Sequence, residues 1–299
     1  MLFFASDQFD LKLPEGHRFP GQKYGMLRRA LLSDGVLRED QVATSPLAER
    51  EDVLRVHDAA YVDALEDGSI EPRTMRRLGF PWTEQIPLRG RRTVGGQIAA
   101  ARVALQRGLS GQMAGGTHHA HAGFGAGFCI YNDQAATARL LLDEGLADRV
   151  AIIDLDVHQG DGNAALLRDD PNIFILDVYG EKNFPFRKVD ATRMVPLPDA
   201  CEDEAFLAAV EEHLPEVFRF GPDIVLYQAG VDPLVSDALG RLAVSFAGLM
   251  ARDRMVLDGC RRRGIPVSMA IGGGYAKPID DTVQAYANTY RVARDVYGW

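Results

Sequence analysis

What most limits the fold of this chain is an alternation. Short apolar runs ending in Gly, Asp or His are separated by longer amphipathic stretches. Strands buried on both faces read as continuous apolar runs, and parallel strands need a long crossover between them. The pattern therefore predicts an α/β protein on a parallel sheet, with strands at residues 2–5, 112–115, 150–156, 173–178, 224–229 and 266–271. Helices follow from periodicity. In 203–220, Phe206, Leu207, Val210, Leu214, Val217 and Phe218 share one stripe, and Pro215 is expected to kink or end the helix. In 245–263 the spacing recurs with Asp253 as a polar exception, and Gly264 is placed to close the helix. Further helices are expected at 96–107, 133–144 and 281–294. The stretch 68–92, with six arginines, is the least regular and reads as solvated surface, an acidic partner site being the alternative.

Composition narrows the class. Forty-two acidic against thirty-three basic residues give a formal net charge of −9, so direct binding along a nucleic-acid backbone is not expected. The three cysteines, Cys129, Cys201 and Cys260, cannot all pair and form no C-x-x-C, which fits a reducing, cytoplasmic setting. The opening MLFFASDQFD lacks a basic leader, and no apolar run reaches the ~18 residues of a membrane span. At roughly 150 residues per domain the length permits two domains. No linker is visible, however, and residues 1–299 are expected to form one catalytic domain.

The densest chemistry lies at Ile152–Gly162, where an apolar run enters Asp154, Asp156, His158, Gln159 and Asp161. Residues two apart share a side of an extended chain, so Asp154, Asp156 and His158 can project together from the carboxyl end of a strand. Carboxylate oxygens beside an imidazole suit zinc or another first-row divalent ion; capping and turn acids would read alike. A third ligand is expected at a neighbouring strand end, where Asp232 follows Gly230, although an Asp before Pro233 is also an ordinary turn residue. Gly115-Gly116-Thr117-His118-His119 follows another apolar run and offers general bases, with Asp154 and Asp161 to orient them. His121 reads as a rim or surface residue. Gly272-Gly273-Gly274-Tyr275 ends the last strand with a phenol able to donate to an acyl oxygen.

In this order, GGTHHA, the GFC of Gly127-Phe128-Cys129, DLDVHQGDG, AGVD and GGGY resemble the histone deacetylase family of zinc amidohydrolases over about His17 to Tyr290. Gln159, where class I enzymes have a second His, resembles the class IV branch and its bacterial relatives. The resemblance implies one arginase/deacetylase domain with an open eight-stranded parallel sheet and helices on both faces. It makes Asp156, His158 and Asp232 the ligands of Zn2+ (Fe2+ being possible in cells), and His118 and His119 the catalytic histidines. Asp154 would orient His118 and Asp161 His119, with Tyr275 polarising the carbonyl. Gly127, Phe128 and Phe184 would wall the substrate tunnel, and Asp154 with Asp177 would hold a structural K+. The implied reaction removes an acyl group from an acyl-lysine protein or peptide, or from an acylated small amine. An acetylpolyamine amidohydrolase is an alternative, and an inactive acyl-binding module is disfavoured because every chemical role is filled. An arginase-type ureohydrolase is disfavoured, because Asp232-Pro233-Leu234 contains no D-x-D for a second metal.

Overall fold

The structure is a computed structural model and describes residues 1–9 and 11–299. Its strands are β1 (Phe3–Ala5), β2 (Val42–Thr44), β3 (Leu109–Gln112), β4 (Val150–Asp154), β5 (Ile173–Gly180), β6 (Arg193–Leu197), β7 (Ile224–Gln228) and β8 (Val267–Ala270). They form one eight-stranded sheet in the order β2-β1-β3-β8-β7-β4-β5-β6, and every pairing is parallel. The helices are α1 (Gln22–Ser33), α2 (Arg50–Leu54), α3 (Ala59–Asp67), α4 (Pro72–Leu78), α5 (Gln85–Arg107), α6 (Asp133–Asp143), α7 (Asp161–Leu167), α8 (Asp203–Phe220), α9 (Phe246–Arg262) and α10 (Ile279–Tyr297). Among the described residues no helix is long and apolar enough to cross a membrane.

Strand alternation sorts side chains into two cores. Ala151 and Ile153 of β4 and Val225 and Tyr227 of β7 face one core, with Leu27 of α1, Phe206 of α8, Leu249 of α9 and Tyr290 of α10. Val150, Ile152, Ile224 and Leu226 face the other, with Val94 of α5 and Leu140 of α6. Both faces are thus covered, which is why these strands are uniformly apolar. A fully buried Ile or Leu contributes roughly 1.5–3 kcal/mol, so the central strands anchor what their ends carry.

Several sequence expectations need correction. Strands β2 and β6 were not expected: both are edge strands with mixed burial and give no continuous apolar run. Strand β3 lies three residues earlier, at Leu109-Ser110-Gly111-Gln112. Its glycine is required there, because a Cβ on Gly111 would lie 2.8 Å from the Met269 carbonyl oxygen of β8. Strand β4 stops at Asp154, so Asp156 and His158 belong to the following loop. Pro215 does not end α8, whose buried Phe206, Val210, Leu214 and Val217 keep the helix on the sheet. The stretch 68–92 holds α4 and the first third of α5, and Arg89 within it is buried. Its glycines had masked the helix: a Cβ on Gly90 would meet the Tyr131 ring at 2.6 Å, so they serve helix packing.

Candidate active site

The four central strands β3, β8, β7 and β4 each deliver functional residues from their carboxyl ends, and these meet around one cavity of about 460 Å³. The loop after β3 carries the tandem histidines. Gly115 and Gly116 adopt φ of +81° and +76°, which glycine alone takes without cost. The loop is pinned by Asp133 at the start of α6, whose carboxylate accepts from Gly116 N (2.9 Å), Thr117 N (2.8 Å) and Thr117 Oγ1 (2.7 Å).

Each histidine rests on its own carboxylate. His118 Nδ1 donates to Asp154 Oδ2 at 2.8 Å and His119 Nδ1 to Asp161 Oδ1 at 2.7 Å, so each Nδ1 carries a proton. The rings lie 4.1 Å apart, yet their protonation differs. Burial works against a charged His118, but Asp154 and Asp156 override it and raise its pKa to about 10. Burial, and then the charge on His118, lower that of His119 to about 4. At neutral pH His119 is therefore a proton acceptor at Nε2 beside a cationic neighbour. His121 is not a free rim residue: its Nε2 bonds Asp161 Oδ2 at 2.9 Å, and its ring stacks on Phe124 at 4.5 Å.

The loops after β4 and β7 bring Asp156, His158 and Asp232 together, with one ligating atom from each within 4.8 Å of the others. His158 Nδ1 sits 3.1 Å from Asp156 Oδ1 and 3.0 Å from Asp232 Oδ2. All three side chains are buried. Burial, and then the charge of Asp156, push the Asp232 carboxyl up to about 7, the mark of acids crowded without a neutralising cation. Two carboxylates and one imidazole fit a catalytic zinc, which takes about three protein ligands and keeps one position open. The third strand end makes room for them. A Cβ on Gly273 would lie 1.9 Å from Asp232 Oδ2 and 2.8 Å from Asp156 Oδ2, while Gly273 N donates to Asp156 Oδ2 at 2.7 Å. The glycine run is thus demanded by close approach to Asp156 and Asp232.

Asp154 and Asp177 are register partners across β4 and β5, and Asp177 Oδ1 is buried with no hydrogen-bond partner. Burial and the nearby Asp154 hold the Asp177 carboxyl well above the ordinary range. An orphaned carboxylate oxygen beside a second carboxylate fits a bound monovalent cation.

Phe128 and Phe184 both line the cavity, with Phe184 edge-on to His119 at 4.8 Å and Phe128 packed 6.0 Å from the Tyr275 ring. Phe128 holds a φ of +67°, uncommon for a bulky residue, and its N–H is tied to the Leu78 carbonyl at 2.9 Å. Gly127 has no room for a side chain: a Cβ would lie 2.8 Å from His119 Cδ2.

Sequence reasoning missed five supports. Asp133 has been described. Lys23 of α1 is buried; its Nζ donates to Gly274 O at 3.0 Å and lies 4.6 Å over the Tyr275 ring, and burial lowers its pKa to about 8. Asp237 Oδ2 accepts from Tyr275 N at 2.6 Å, while Ala238 N donates to Tyr275 O at 3.2 Å. Arg252 is fully buried and spans both ligand loops, donating to the carbonyls of Leu155 (3.2 Å) and Gly230, with Asp253 as its counter-ion (2.8 Å). The polar exception on the α9 stripe was the one signal that pointed to this pair.

His57, also unforeseen, braces the histidine loop: Nδ1 donates to His121 O at 2.9 Å, and Nε2 accepts from Asn132 N at 2.9 Å. Burial lowers its pKa from 6.5 to about 4. The neutral form is the one folded, so its contribution is complete above pH 6.5 and is lost as pH falls towards 4. Over that window it should amount to roughly 3 kcal/mol. Denaturant melts of wild type and His57→Gln across pH 7 to 4 measure the difference. The variant should show a shallower acid loss; equal slopes would mean that His57 does not control it.

Comparison with known proteins agrees with this geometry. A histone deacetylase domain model matches residues 17–291. An uncharacterised protein of Picosynechococcus sp. is 44% identical over 95% of each chain. Histone deacetylase 2 of Arabidopsis thaliana is 33% identical over 87% of this chain and 70% of its own. Among solved structures, an HDAC homologue complexed with SAHA has a TM-score of 0.82 at 22% identity, over 99% of this chain and 88% of the other. An acetylpolyamine aminohydrolase from Burkholderia pseudomallei has the same TM-score at 19% identity, over 99% of each chain. The chain belongs to the histone deacetylase family.

Proposed function

We propose that the chain is a zinc-dependent amidohydrolase that removes an acyl group, acetyl in the simplest case, from the amine of lysine or of a related amine. The observation that carries this reading is the meeting of two carboxylate-paired histidines, the Asp156–His158–Asp232 cluster and Tyr275 at one aromatic-walled cavity. A zinc held by those three residues would polarise the acyl carbonyl and lower the pKa of water towards ~7. Phe128 and Phe184 hold the linker of the acylated amine. His119 Nε2 accepts the proton of the attacking water, and Asp161 stabilises the imidazolium that results. His118, held by Asp154 (2.8 Å), sits beside His119, and its protonated form favours negative charge developing on the substrate. Tyr275 donates its O–H to the acyl oxygen as that oxygen becomes an anion. The proton held at His119 then passes to the departing amine. We assign Asp154 and Asp177 to a structural K+. We read Gln159, where class I enzymes have a second His, as a mark of the class IV branch; its side chain bonds Val189 N (3.0 Å) and Val189 O (2.6 Å). The three unpaired cysteines fit a cytoplasmic setting.

The test is release of acetate from an acetyl-lysine peptide by wild type and His119→Ala. A lost general base should lower kcat by ~10²-fold or more. An effect confined to KM would remove His119 from that role.

A further inference from the structure

The mouth of the cavity carries a charge pattern that amide hydrolysis does not need. Apart from Asp156 and the histidines, the charged side chains on its wall are all cations: Arg18, Lys182 and Arg241. This runs against the composition, since the whole chain carries a formal net charge of −9. Arg241 holds Asp199 with both arms of its guanidinium, at 3.0 and 2.6 Å, and is fixed in place. Lys182 reaches the same carboxylate only at 3.7 Å, and Lys182 and Arg241 are exposed. Arg18 is exposed and forms no ion pair among the described residues. One carboxylate against three cations leaves a positive rim. Beside them the wall carries Leu239 and Phe186, whose side chain is 89% exposed, an apolar shelf outside the tunnel.

Building on the function proposed above, we infer that the rim selects acylated amines whose remainder carries a carboxylate just outside the tunnel. An acyl-lysine flanked by Asp or Glu has that chemistry, and so does an acyl-lysine with a free α-carboxylate. An acylated polyamine has the opposite: its remaining ammonium groups would lie beside Arg18, Lys182 and Arg241. Phe186 and Leu239 cover the aliphatic part of whatever lies across the mouth. Because the cations are exposed, the preference is moderate and weakens with salt.

The experiment compares acetyl-lysine peptides flanked by Glu, Gln or Lys, Nα-capped Nε-acetyl-lysine with its carboxylate free or amidated, and an acetylated spermidine. Both kcat/KM and Kd by fluorescence anisotropy or competition are read on the zinc-loaded protein. Two or three exposed charge pairs should favour the Glu-flanked peptide over the Lys-flanked one by about tenfold at low salt. The gap should shrink at high salt, and Arg18→Glu with Lys182→Glu should invert the order. Preference for the Glu-flanked peptide alone identifies a protein or peptide substrate; preference for the free carboxylate alone identifies a small molecule. Equal or reversed affinities, or acetylspermidine matching the acidic substrates, overturn the inference. Loss of turnover on every substrate would instead defeat the amidohydrolase reading, and the Kd series would still decide the question of charge.

Discussion

Asp232→Ala should lose bound metal and activity together. Asp232 is the proposed ligand that follows β7, and its carboxylate is held by Val157 N at 2.9 Å as well as facing His158. Without it, Asp156 and His158 remain as a pair on one loop, too few for a closed zinc site. Turnover should fall by more than about 10²-fold, the upper range for losing an outer support of a metal site. Elemental analysis beside an acetyl-lysine assay decides it. A variant that kept one zinc per chain and near-normal turnover would assign the third ligand elsewhere.

Tyr275→Phe should leave metal and substrate binding nearly intact and remove the chemistry. The substitution keeps a ring packed against Phe128 and beneath Lys23 while deleting the donor. A phenol aimed at the acyl oxygen gains most when that oxygen becomes an anion, whereas on the proposed reading the walls of Phe128 and Phe184 would hold substrate in ground and transition states alike. Loss of one oxyanion donor lowers kcat by about 10² to 10³-fold. Single-turnover rates and direct substrate binding separate the two possibilities. Weaker binding with an unchanged chemical step would make Tyr275 a packing residue.

The site was legible because parallel strands end where ligands bind. Once β4, β7 and β8 could be placed from their apolar runs, the acids, His and Gly run that follow them were bound to meet. Helix α8 was equally plain, since its stripe repeats over its full length. What stayed hidden depends on partners far apart in the chain. Lys23 is one basic residue among many in the sequence, and only the fold brings it to Gly274 and Tyr286. Asp237 and Asp133 carry no mark in the sequence, because a carboxylate that ties backbone N–H groups leaves no periodic trace. Strand β3 was displaced because Gly111 and Ser110 lack the apolar character expected of a central strand, although both are buried there.

The central claim is that a metal held by Asp156, His158 and Asp232 is required for amide hydrolysis. The most direct measurement strips the protein with a chelator and follows acetate release from an acetyl-lysine peptide while zinc is added back stepwise. Activity should be absent in the stripped protein and return linearly to a break at one zinc per chain. Undiminished turnover without metal, or one equivalent bound at these ligands with no acetate released, would contradict it.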